Sequence, residues 1–126
     1  MATTPNFAST VRASAVVIST ADTSRTAPTN VGTVFTAGAS GSRIDEVVVS
    51  ATGTTTAGVV RLFIYNGTTY FLLQEILVSA ITPSTTVAVF SYDATFNNLM
   101  LPSGSSLRAT TNNAESFSVI AFGGDF

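Results

Sequence analysis

The chain reads as all-β, an antiparallel β-sandwich of about eight strands. Three observations point there. Apolar runs of strand length recur between clusters of Gly, Pro, Asn, Ser and Thr, the spacing of a sandwich or barrel. Helical periodicity is absent almost everywhere. The polar quota is met by 21 Thr and 15 Ser rather than by charge, with 10% charged residues against 45% hydrophobic. At 126 residues the expectation is one domain. A chain of that length buries roughly two-thirds of the surface it exposes when unfolded, enough for a core without disulfide staples.

In chain order, residues 1–10 are uncharged, carry Pro5 and Phe7, and read as an extended N-terminal arm. Residues 11–126 read as the sandwich domain. Its strands are placed at Val11–Thr20, Val31–Thr36, Arg43–Ala51, Val59–Tyr65, Thr68–Val78, Thr86–Tyr92, Ser106–Thr111 and Phe117–Phe122. Ala21–Asn30, with Pro28, reads as a long loop, and Gly38–Ser42 and Thr52–Gly58 as turns. Asp93–Leu101 reads as a longer connection, because Asp and Asn bond to their own backbone in turns. Leu101–Gly104 is a turn into the seventh strand. The tail Gly123–Phe126 ends on an aromatic ring.

The strongest local signal is Asn66-Gly67, which supplies the positive φ values of a two-residue type I′ hairpin. That turn sets Tyr65 opposite Thr68, Phe63 opposite Tyr70 and Leu62 opposite Phe71. Alternation then gives a core face of Val60, Leu62, Ile64, Thr69, Phe71 and Leu73. The other face holds Val59, Arg61, Phe63, Tyr65, Tyr70, Leu72 and Gln74. So much carbon in one patch suits a solvated face poorly. Three covers are open for it: a loop or the N-terminal arm, a second subunit, or a ligand.

Composition excludes whole classes of chemistry. The chain has no His, Cys, Lys or Trp. Nucleophilic catalysis needs a base beside its Ser, Thr or Cys, and only carboxylates remain. Gly38-Ala39-Ser40-Gly41 is one residue short of a nucleophile elbow. A glycosidase needs two carboxylates across one bond, and Asp45 and Glu46, adjacent in a strand, point to opposite faces. No calcium-loop spacing is present, and turn chemistry accounts for Asp93, Asn97 and Asn98. No catalytic residue, metal ligand or cofactor site is therefore expected, and the chain reads as no enzyme. Its five Arg are scattered and the net charge is −2, which speaks against nucleic-acid binding. Neither a signal peptide nor an apolar run of the ~20 residues that span a bilayer is visible. The expectation is synthesis in the cytoplasm and no membrane partner.

Charge-poor surfaces are typical of assembly interfaces. Two stretches carry a resemblance in that direction. Ala51-Thr-Gly-Thr-Thr-Thr-Ala-Gly-Val-Val-Arg-Leu-Phe-Ile-Tyr-Asn-Gly67 and Leu101-Pro-Ser-Gly-Ser-Ser-Leu-Arg-Ala-Thr-Thr-Asn-Asn-Ala-Glu-Ser-Phe-Ser-Val-Ile-Ala-Phe-Gly-Gly-Asp-Phe126 resemble small structural proteins of tailed-bacteriophage virions, of the capsid decoration (cement) type. The resemblance spans about Arg43 to Phe126. It is one of phrasing, with no catalytic motif to carry over. It implies a jelly-roll-like sandwich, commonly a homotrimer, on the outer capsid surface, bridging neighbouring capsomers. The implied partners are further copies of the chain and a major capsid protein or other virion protein. The residues expected at subunit or arm contacts are Phe63, Tyr65, Tyr70 and Leu72, with Phe7 and Phe126 docking the termini. The rival expectation is a tail or fibre module holding a glycan or another virion protein, with Tyr92, Phe96, Asn97 and Asn98 as the patch. A carboxylate-dependent hydrolase is a third.

Overall fold

A computed structural model describes residues 9–126. Within them every regular element is a strand: β1 (Thr10–Ile18), β2 (Gly32–Thr36), β3 (Ser42–Ala51), β4 (Gly58–Tyr65), β5 (Tyr70–Val78), β6 (Ser91–Leu101), β7 (Ser106–Thr111) and β8 (Phe117–Asp125). They form two four-stranded sheets, ordered β1-β8-β3-β6 and β2-β7-β4-β5, with every strand pair antiparallel. The expected all-β sandwich is what forms. The pairing is nested: β4 with β5, β3 with β6, β2 with β7 and β1 with β8. The chain is thus one long hairpin rolled onto itself.

The core lies between the sheets. Val47, Val49, Val119 and Ala121 come from one sheet and Leu62, Val60, Leu107 and Ala109 from the other. These positions alternate along their strands, as burial of one face requires. Phe35, Phe90 and Phe117 fill the wider gaps, with Phe90 edge-on to Phe117 at 6.3 Å. The turns at Gly38–Ser42 and Leu101–Gly104 form as expected, around Gly41 (φ 85°) and Gly104 (φ 89°). Ala21–Asn30 is a loop, touching the sheet through a bridge of Ala21 to Thr111.

Two expectations need correction. The hairpin at Asn66 closes with a four-residue loop, because Tyr65 pairs with Tyr70 and Phe63 with Leu72. Only Gly67 takes a positive φ, 101°. The Asn66 carboxamide explains the longer loop: its oxygen accepts the Thr68 and Thr69 N–H groups at 3.0 and 2.8 Å, an Asx turn that competes with type I′. The register slips by two, an even number, so Phe63, Tyr65, Tyr70 and Leu72 keep their common face. A bulge between Leu62 and Phe63 then reverses the alternation further along, setting Gln74 opposite Leu62 and Glu75 opposite Arg61. Phe71, expected in the core, is 54% exposed at the sheet edge.

The second correction is β6. The expected strand Thr86–Tyr92 is mostly loop, and the expected connection Asp93–Leu101 is strand. Edge position is the reason. β6 pairs only with β3, so Asp93 and Thr95 can face water while Ala94 and Leu101 enter the core. The register shifts between Ile44 and Glu46. Nearby on β6, Asn98 has φ 63°, a left-handed value that Asn tolerates better than most side chains. Asn98→Gly is expected to leave stability within about 0.5 kcal/mol, and Asn98→Val to cost about 1–2 kcal/mol, read by urea denaturation.

Candidate interaction surface

Two solvent-side sheet faces carry the chemistry. On the β2-β7-β4-β5 sheet, β4 contributes Arg61, Phe63 and Tyr65. Their partners across β7 are Thr110, Arg108 and Ser106, and across β5 Glu75, Leu72 and Tyr70. At one end the rings interlock. Tyr65 stacks on Tyr70 at 4.3 Å and 29°, and Phe63 meets Tyr70 edge-on at 5.9 Å. The Arg108 guanidinium lies 4.3 Å over the Tyr65 ring and donates to the Tyr70 hydroxyl at 3.2 Å and to Ser106 Oγ at 3.0 Å. A planar cation over an aromatic face is favourable, and the two hydrogen bonds hold it there. The cluster is held together by contacts within the chain.

At the other end Arg61 is buried at 2% exposure. A buried charge needs a partner, and Arg61 Nε donates to Glu75 at 2.8 Å. Its terminal nitrogens reach Asn112 Oδ1 and the Asp22 carbonyl. Arg25 adds a second donor to Glu75, at 2.8 Å. The hydrogen bond from Arg25 holds the Glu75 carboxyl below its ordinary value; desolvation opposes it, and the hydrogen bond from Arg61 and the charges of both arginines add to the lowering. The Ala21–Asn30 loop thus closes this end of the face. Asp22 anchors that loop, accepting N–H groups of Thr29, Asn30 and Ser24 at 2.7, 2.8 and 3.0 Å. Burial alone would raise its carboxyl; the Asn30, Ser24 and Thr29 hydrogen bonds outweigh that and lower it.

The expected contact residues fall as follows. Phe63 is fully buried within the chain and supports Tyr70 from behind. Tyr65 and Tyr70 are half-buried in the ring stack, and Leu72 is 39% exposed. Phe126 is half-buried, and its N–H donates to the Gly41 carbonyl at 3.1 Å. That places the terminal ring on the Gly38–Ser42 turn of its own chain. Asp125, beside it, accepts from Ser42 and from Arg12 at 2.9 Å. Phe7 lies outside the described residues.

The other face was not singled out by the sequence. On the outside of the β1-β8-β3-β6 sheet, Ala13, Phe122, Glu46 and Thr95 form one cross-strand row, and Ala15, Ile120, Val48 and Asp93 the next. Val11 is 90% exposed, Val17 62%, and Phe122 40%. The β1–β8 half of this face is therefore apolar, and its charges, Arg43, Glu46 and Asp93, lie on the β3–β6 half. The signal was the alternation Val11, Ala13, Ala15, Val17, with no charge at any of the four positions.

Of the Tyr92–Asn98 patch expected for a glycan, Phe96 is half-buried and packs against the core, while Tyr92, Asn97 and Asn98 are exposed. Five of the seven acids serve separate partners: Asp22 serves the loop, Asp45 pairs with Arg43, Glu75 with Arg25 and Arg61, Glu115 with Thr56, and Asp125 with Arg12. Glu46 and Asp93 stand on adjacent rows of the β3–β6 outer face. Among the described residues no group of three His, Cys, Asp or Glu stands close enough to hold a metal ion. A cavity of about 310 Å³ opens between the end of β1 and the start of β2, lined by Ser19, Thr20, Thr29 and Asn30 with Val17, Ile18, Val31 and Gly32. Comparison with protein-family models, with curated proteins and with solved structures gives no match.

Proposed function

We propose that this chain is a non-enzymatic structural protein of a tailed-bacteriophage virion, one that decorates the outer capsid surface and stabilises it by bridging neighbouring capsomers. The observation that carries this reading is the apolar outer face of β1 and β8. Contiguous exposed apolar surface marks an interaction site on a protein that otherwise needs a wet exterior, and here it lies on a stiff two-sheet scaffold. The nested strand pairing supports a jelly roll, an architecture used by capsid proteins. Many copies, each making a modest contact, attach firmly through avidity. Association as a homotrimer and contact with a major capsid protein follow from the virion resemblance of Arg43–Phe126.

The test is cosedimentation of the purified chain with capsids stripped of their decoration protein. Saturable binding at a fixed ratio to capsomers, with a higher temperature of particle rupture, is the expected result. Ala15→Glu and Phe122→Glu in one chain should abolish binding while the isolated protein keeps its β-sheet circular dichroism. Undiminished binding of that variant, or no binding by the wild-type chain, overturns the reading.

A further inference from the structure

Among the described residues each sheet has two edges, giving four edge strands: β1 and β6 on one sheet, β2 and β5 on the other. An edge is a row of N–H and C=O groups without a sheet partner, and proteins protect such rows with bulges, charges or shortness. Three of the four are protected. β2 has five residues and a register shift. β5 has a register shift, and Glu75 lies on it. β6 has a register shift, left-handed Asn98, and Asp93 on its outer face.

β1 is neither short nor bulged, and no charge stands among its outward side chains. Its nine residues pair with β8 in unbroken register, from Thr10 opposite Asp125 to Ile18 opposite Phe117. It holds no proline, and its outward side chains are Val11, Ala13, Ala15 and Val17. Its one charge, Arg12, is committed within the chain. Arg12 Nη1 donates to the Thr36 carbonyl at 2.8 Å and to Asp125 at 2.9 Å, and its guanidinium lies 4.1 Å over the Phe35 ring.

We propose that β1 is a pairing edge and that its occupant is β1 of a second copy, antiparallel about a two-fold axis at Ser14. The occupant follows from the side-chain pattern. Antiparallel pairing centred on Ser14 sets residue i opposite residue 28 − i of the partner. Val11 then meets Val17 and Ala13 meets Ala15, twice over, so large side chains face large and small face small. The row Val-Ala-Ala-Val reads the same in both directions and is complementary to itself. An isologous contact needs that property. Cross-strand side-chain pairs are the unit of sheet stabilisation, and here pairing also joins two apolar β1–β8 faces into one continuous surface. A single edge pair of nine residues sits at the low end of specific interfaces, among the weak and transient ones. The proposal does not depend on the virion reading, and its test involves no capsid.

The experiment compares masses in solution, by sedimentation, for the wild-type chain and two double variants, Ala13→Glu/Ala15→Glu and Ala13→Lys/Ala15→Lys. All four substitutions are on exposed positions, and unchanged circular dichroism and melting temperature verify folding. In the proposed register each variant opposes like charges at two cross-strand pairs, which is destabilising. The expected result is a wild-type mass twice that of either variant, and recovery of the doubled mass when the Glu and Lys variants are mixed. If a further contact builds larger sets, the factor of two between wild type and variant remains. Equal masses for wild type and variants overturn the proposal, and so does failure of the mixture to recover.

Discussion

Gly123→Ala is expected to destabilise the sandwich by about 1–3 kcal/mol, among the largest effects of any single added methyl group in this chain. Gly123 lies in β8, the strand between β1 and β3, opposite Arg12 on one side and Ile44 on the other. A Cβ there collides with the Arg43 carbonyl oxygen and lies 2.9 Å from the carbonyl carbon and 3.0 Å from Ile44 Cα. All three are backbone atoms, so no change of rotamer relieves the clash. β3 must move away from β8 at the very point where the register shifts between Ile44 and Glu46. Conformational freedom is not the issue, since Gly123 has no positive φ. Gly53→Ala is the control, with nothing within 4 Å of the new methyl group, and is expected to stay within about 0.5 kcal/mol. Urea denaturation of the two variants decides it. Equal stability would show that the β3–β8 approach is looser than described.

Asp22→Ala is expected to cost about 2–3 kcal/mol, the scale of hydrogen bonds to a charged group. The residue is 8% exposed and accepts three backbone N–H groups of its own loop. Without the carboxylate those donors lose their partner, and the loop that closes over Arg61 loosens. The same chemistry predicts acid sensitivity. Hydrogen bonds lower the Asp22 carboxyl despite burial, Arg25 and Arg61 lower Glu75, and Ser42 and Arg12 lower Asp125. A carboxyl lowered in the folded state stabilises it above the unfolded pKa, and that contribution is lost as pH falls through the folded value. The melting temperature should therefore hold from neutrality to about pH 5 and fall below it. Asp22→Asn should start lower and fall less. A wild-type melting temperature unchanged down to about pH 3 would contradict the roles given to these three groups.

How much could be read from residue order differs by element. The core strands β3 and β4 were legible from their runs of Val, Ile and Leu, and β7, which sends Leu107 and Ala109 to the core, from the Leu101–Gly104 turn that precedes it. β6 was not, since Asp93, Asn97 and Asn98 speak for a turn locally. Only its place at a sheet edge, a property of the whole topology, lets polar residues form a strand. The Asn66 hairpin was legible as a hairpin but not in register, because the Asn66 carboxamide bonds two successive N–H groups and lengthens the loop. The shared face of Phe63, Tyr65, Tyr70 and Leu72 survived, since a two-residue slip preserves parity. What the sequence hid was the partner of each charge. Nothing local tells that Arg61 and Arg25 meet on Glu75, or that Arg12 crosses to Thr36 of the other sheet. The apolar run of β1 was visible, but that it lies on an unprotected edge follows only from the strand order.

β1, paired with β8 in unbroken register and with no outward charge, is the edge proposed for association. Hydrogen exchange of the backbone amides, followed at low and at high protein concentration, tests this most directly. Protection is expected to rise with concentration at alternate amides of Thr10–Ile18, those pointing away from β8, while the β6 and β5 edges stay unchanged. Exchange in β1 that is independent of concentration, or protection that grows along β5 or β6 instead, would contradict it.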